Sequence, residues 1–140
     1  MGVSTKKRKK YKPSESEPFM NKRQREYFRK KLEAWKQQIL QDGRETINSL
    51  QRETTQHADI ADRASTETER TLELRTRDRQ RKLVAKIDAA LRRIEEGSYG
   101  YCEDTGEPIS LERLDARPIA MLSIEAQEQH ERQEKVYRDD

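Results

Sequence analysis

Four stretches of this 140-residue sequence gather side chains able to do chemistry. Asp59 and Asp62 stand three residues apart in "QHADIADR", followed by Ala64. On a narrow support, with Ile60 and Ala61 keeping it slim, such a pair reaches a metal or basic groups inside a deep cleft. The same acids also cap free N–H groups and meet the positive end of a following helix, so two readings of this pair stand. Cys102 in "GYCEDTG" sits where a zinc knuckle begins, but the second ligand, due at 105, is Thr105. As a small buried hydrophobe Cys102 is inert. As a peroxide sensor it would be blunted by Glu103 and Asp104, which raise its pKa. Between Arg75 and Lys82 five basic residues face one acid, Asp78, which makes either a docking face or a solvated helix surface. Lys6 to Lys10 form a further basic run, which attracts RNA or DNA through phosphate neutralisation or merely solubilises the chain. No grouping of Ser, His or Cys suited to nucleophilic catalysis is present, nor a phosphate-binding glycine loop. A non-enzymatic role is expected.

The elements that position these residues follow from composition and period. Only 31% of the chain is hydrophobic and 41% is charged, with 30 basic against 27 acidic residues, so a large buried core is not available. No apolar run approaches the ~18 residues of a membrane span, and no signal segment follows the N-terminus. A lone cysteine fits a reducing, cytoplasmic setting. Residues 1–20 lack an apolar period and read as a disordered basic arm. From Asn21, a plausible N-cap, apolar residues recur at Phe28, Leu32, Trp35, Ile39, Ile47 and Leu50, close to a coiled-coil seam. Gly43 marks a weak or bent turn in it. A second run, from about Ala64 to Glu96, carries Leu72, Thr76, Leu83, Ile87, Ala90, Leu91 and Ile94, and Gly97 stops it. Helices of about 50 Å need a partner stripe, and the nearest is the other helix. Residues 21–96 therefore read as an antiparallel coiled-coil hairpin with an acidic tip at 57–64. In residues 97–140, turn signals and short apolar pieces predict a small hairpin. A compact core follows, built on Leu111, Leu114, Ile119 and Leu122, and then a last helix capped by Ser123. The expected fold is mainly α: a long hairpin, a small globular knob and a C-terminal helix.

"DIADRAS", "LELRTRDRQRKL", "GSYGYC" and "RLDARPIA", in this order, resemble the DksA/TraR family over nearly the whole chain after residue 20. The resemblance implies a transcription regulator that binds RNA polymerase, inserts its coiled-coil tip into the secondary channel and acts with ppGpp in the stringent response. Ribosomal-RNA promoters would be inhibited and some amino-acid biosynthesis promoters helped. The family's acidic tip pair falls on Asp59 and Asp62 and its tip alanine on Ala64. Contacts to the polymerase rim fall near Arg79 and Lys82. The ppGpp contacts fall on Leu83, Lys86, Arg117 and Gln127, where Gln127 replaces a usual Lys and weakens, without removing, phosphate affinity. The working state implied is a monomer with no membrane and no sequence-specific DNA partner.

The family's zinc finger uses four thiolates, which align with Cys102, Thr105, Ser123 and Ala126. Hydroxyls and a methyl group are not zinc donors, so the expectation is a zinc-finger-like knob without zinc and with no permanently bound cofactor. Extra apolar burial, and a hydrogen bond between Thr105 and Ser123, would stand in for the metal. Two competing readings remain. One is a Gre-like transcript cleavage factor, whose acidic tip holds catalytic Mg²⁺. The other is a nucleic-acid-binding coiled coil resting on the basic arm.

Overall fold

The computed structural model describes residues 10–56 and 63–138, with side chains for 10–52 and 66–137. Asp59 and Asp62 lie outside the described residues, and Ala64 falls in the first turn of α2. In chain order the helices are α1 (Lys22–Gln56), α2 (Arg63–Glu96), α3 (Leu111–Ala116) and α4 (Ile124–Arg138). The chain divides into two compact units, one of residues 1–30 with 98–140 and one of residues 31–97.

The second unit is the hairpin of two long helices. Among its described residues, Leu32, Ile87, Ala90 and Ile94 are the buried apolar ones, all drawn from the predicted stripes. Lys36 Nζ bridges to Asp88 Oδ1 at 2.7 Å, between the helices. Gly43 does not break α1: the helix runs through it, and the position is buried. A Cβ there would lie 2.1 Å from Gln80 Oε1, so the glycine lets the Gln80 amide lie against the backbone of α1. α2 ends at Gly97, whose φ of +82° is open to glycine at no steric cost, and whose N–H reaches Ile94 O at 3.3 Å.

The first unit is built from short pieces. Asn21 caps α1, its Oδ1 accepting from Gln24 N at 2.8 Å. Buried Phe28, Tyr99, Cys102, Ile109, Leu114 and Ala126 form its core, with the Phe28 and Tyr99 rings 5.6 Å apart. The hydroxyl of Tyr99 donates to Pro118 O at 2.7 Å, and Arg113 Nε donates to Leu122 O at 2.8 Å. The expected small hairpin is a single antiparallel bridge, Tyr101 to Pro108. Cys102 N donates to Glu107 O and Gly106 N to Cys102 O, each at 2.8 Å, which closes the loop. Residues 10–20, read from sequence as part of the arm, differ from that expectation. Phe19 meets Tyr101 edge-on at 5.4 Å. A Cβ at Gly100 (φ +90°) would come within 3.1 Å of Phe19 and 3.2 Å of Met20. Aromatic pairing holds this stretch although its composition has no apolar period.

Candidate functional site

α2 carries the basic stretch on its exposed side. Arg75, Arg77, Arg79, Arg81 and Lys82 are all exposed. Asp78 is held by Arg81 at 2.8 Å and Lys82 at 3.0 Å, and Arg77 by Glu73 at 2.7 Å. The bonds from Lys82 and Arg81 keep the Asp78 carboxyl below its ordinary range. Arg75 and Arg79 make no ion pair among the described residues, and they remain available to an acidic partner. Lys86 is exposed and Leu83 half-buried on the same helix.

Arg117 and Gln127 belong to the first unit. Arg117 is exposed at the end of α3, where its N–H reaches Arg113 O at 2.7 Å. Gln127 lies in α4, and its Nε2 donates to Glu131 Oε1 at 3.2 Å. The four residues carried over for ppGpp therefore divide into Leu83 with Lys86 in one unit and Arg117 with Gln127 in the other.

Three of the four finger positions, Cys102, Thr105 and Ser123, meet at one sulfur, and the fourth, Ala126, is buried in the first turn of α4. Ser123 caps α4: its Oγ accepts from Ala126 N at 3.2 Å, and its carbonyl accepts from Gln127 N at 2.9 Å. The Ser123 N–H donates to Cys102 Sγ at 3.4 Å, and Ser123 Oγ lies 3.7 Å from the same sulfur. Thr105 also hydrogen-bonds to the sulfur, and this is the largest influence on its titration. Together with the Ser123 N–H and the N–H groups of Thr105 and Asp104, it lowers the Cys102 pKa to about 6, against the opposing effect of burial. Two expectations change here. The acidic neighbours do not raise this thiol, because backbone N–H groups and a hydroxyl are aimed at it. Nor does Thr105 bond to Ser123; both turn to Cys102 instead.

Two further contacts of this unit have no signature in the sequence pattern. His130 Nε2 pairs with Asp104 Oδ2 at 2.5 Å, tying α4 to the loop of Cys102. Tyr27 Oη donates to Asp115 Oδ1 at 2.6 Å, a bond that, with burial, pushes the phenol up to about 12. Each partner is far along the chain, and pattern alone does not pair them.

Comparison with known proteins places the chain by class first. Residues 24–94 match the family model described as DnaK suppressor protein DksA, N-terminal domain, and residues 97–132 match that of the prokaryotic dksA/traR C4-type zinc finger. The chain belongs to the DksA/TraR family. It is 70% identical over 130 residues to the RNA polymerase-binding transcription factor DksA of Caulobacter vibrioides, covering 93% of this chain and 92% of that protein. To the protein of the same name from Escherichia coli K12 it is 42% identical, covering 89% and 83%. The solved transcription factor DksA2 from Pseudomonas aeruginosa superposes with a TM-score of 0.76 at 40% identity, covering 86% of this chain and 95% of that one.

The zinc-finger match corrects the expectation of a finger with no zinc and no cofactor: residues 97–132 fit the model of a C4-type zinc finger, a class that binds zinc. The donors of this chain do not make a four-thiolate site. Its one thiol is Cys102, and among the described residues no group of three or more His, Cys, Asp or Glu is arranged to hold a metal.

Proposed function

We propose that this protein is an RNA polymerase-binding transcription regulator that acts by contact and without chemistry of its own. In this reading it is a monomer, and it inserts the tip carrying Asp59, Asp62 and Ala64 into the secondary channel. Membership of the DksA/TraR family, at 70% identity to an RNA polymerase-binding transcription factor, carries the reading. The exposed basic side of α2 supports it, because Arg79 and Lys82 offer cations to an acidic rim of the polymerase.

With ppGpp, the regulator lowers initiation at ribosomal-RNA promoters and raises it at some amino-acid biosynthesis promoters. Lys86 and Arg117 supply a point charge and a planar fork for phosphate, while Gln127 supplies a neutral amide. Binding of the labelled protein to purified polymerase tests the rim contact. The double variant Arg79→Ala, Lys82→Ala should weaken binding about tenfold or more, as loss of charged hydrogen bonds does. Binding equal to wild type would contradict the assignment. For the nucleotide, a ppGpp titration of transcription with Lys86→Ala should require more ppGpp than wild type. Superimposed titrations would remove Lys86 from that site.

A further inference from the structure

The polymerase reading leaves the cavities of the first unit unused. A pocket of about 510 Å³ opens beside the start of α1, lined by Tyr11, Lys22, Arg23, Glu26, Tyr27 and Lys30. Its volume is that of an ordinary small-ligand site. The helix residues lie at one-turn spacing along α1, and Tyr11 closes the pocket from the preceding strand of chain. The rings of Tyr11 and Tyr27 stand edge to face at 6.1 Å. Both rings are tethered by their hydroxyls: Tyr11 donates to Glu17 and Tyr27 to Asp115. The aromatic walls are therefore fixed before any ligand arrives, which spares the cost of ordering them on binding.

The acids at this pocket are already engaged: Glu17 and Asp115 accept from the two tyrosine hydroxyls. Glu26 is the only acid in its lining, and Arg29 holds that carboxylate. Arg23 sits over the Tyr11 ring, its guanidinium carbon 4.0 Å from the centroid. Lys22 and Lys30 are exposed and make no ion pair among the described residues. What remains is three cations around two fixed aromatic rings. Such a set recognises an anion that carries a planar group. Immediately upstream of Tyr11 lies the basic run Lys6 to Lys10, and Lys12 follows it, so the cations continue along the chain beyond the pocket. A single nucleotide has no use for that continuation, but a strand of nucleotides does.

We propose that this pocket, formed by Tyr11, Lys22, Arg23, Tyr27 and Lys30, binds single-stranded nucleic acid, with a base against the tyrosine rings and phosphates at the lysines. Stacking on an aromatic ring beside a basic track is the usual means of holding single strands with little sequence preference.

Fluorescence anisotropy of a labelled short homopyrimidine RNA, and of DNA of the same sequence, tests this on the full chain. Lys22→Ala, Lys30→Ala exchanges two exposed helical residues for the best helix former and leaves the fold intact. It should weaken binding and reduce the slope of log affinity against log salt by about 1.4, from ~0.7 per phosphate contact on single strands. Tyr11→Ala should weaken binding about tenfold, whereas Tyr11→Phe keeps the ring and should stay within about twofold of wild type. Replacing Lys6, Lys7, Arg8, Lys9 and Lys10 by Gln should lower affinity and leave residual binding that still responds to the pocket variants. Amide chemical-shift changes on adding the RNA should centre on Tyr11 and residues 22–30. The proposal is overturned if the pocket variants bind like wild type while the Gln-substituted run abolishes binding, since the arm alone would then be the binder. Uridine monophosphate binding as tightly as the strand would also overturn it, in favour of a mononucleotide site.

Discussion

The hairpin and the knob are stabilised in different ways. In the hairpin, residues 31–97, the buried residues repeat along two helices, and the surface is laced with pairs three or four residues apart, such as Arg77–Glu73 and Lys82–Asp78. In the knob, residues 1–30 with 98–140, stability rests on aromatic contacts and on hydrogen bonds between distant residues, such as Tyr27 to Asp115 and Tyr99 to Pro118. Two long charged helices survive on a thin stripe because their backbone is satisfied internally. A small unit of loops and short helices has no such ladder, so single buried side chains carry more of its stability. The two units also differ spectroscopically. All five tyrosines lie in the knob, and the sole tryptophan, Trp35, lies in the hairpin. Tyrosine near-ultraviolet dichroism and tryptophan fluorescence therefore follow them separately.

The largest expected effect is at Leu114, which is fully buried in the knob. Leu114→Ala should cost about 2–5 kcal/mol, shifting the tyrosine transition in urea more than the Trp35 transition. Ile87→Ala in the hairpin, at an equally buried position, should reverse that order. Equal shifts of both signals in both variants would break the comparison.

Cys102 sharpens it by pH. A thiol lowered from 9.0 to about 6 in the folded protein favours folding once ionised. That contribution is fully present above the unfolded value near 9, declines as pH falls, and is gone below about 6. Thiolate absorbance should titrate with a midpoint near 6, and the stability gap between wild type and Cys102→Ser should widen from pH 6 to 9. A midpoint at the ordinary thiol value of about 8.5 would show that Thr105 and the surrounding N–H groups do not act on the sulfur.

Smaller effects belong to the hairpin. Gly43→Ala should raise stability, by up to about 1 kcal/mol from helix propensity, less whatever is lost when the Gln80 amide swings away. A destabilisation of several kcal/mol in urea unfolding would mean that the two helices cannot yield at this point. Smallest is the half-exposed Lys36–Asp88 pair, whose removal by Lys36→Ala should cost about 0.2–1 kcal/mol and less in high salt.

Legibility in the sequence follows the same division. The stripes of Leu32 and Ile87, the Asn21 and Ser123 caps and the Gly97 stop were readable because helix period and capping chemistry are local. The seating of the Gln80 amide against Gly43 was not, because it belongs to the facing helix. Residues 10–20 looked featureless since Tyr101, which Phe19 meets, lies some eighty positions away. The acidity of Cys102 was misread for a related reason: sequence shows Glu103 and Asp104 beside it but not the direction of the N–H groups. The absence of three thiolates was plain in the sequence. The expectation of a zinc-free finger drawn from it was corrected by the family match over 97–132.

The most direct test of the central claim is multi-round transcription from a ribosomal-RNA promoter by purified polymerase, with and without this protein and ppGpp. Wild type should inhibit, inhibition should deepen with ppGpp, and Asp62→Asn should abolish it while still binding polymerase. No inhibition by wild type, or cleavage of backtracked RNA in its place, would contradict a regulator that works through its tip.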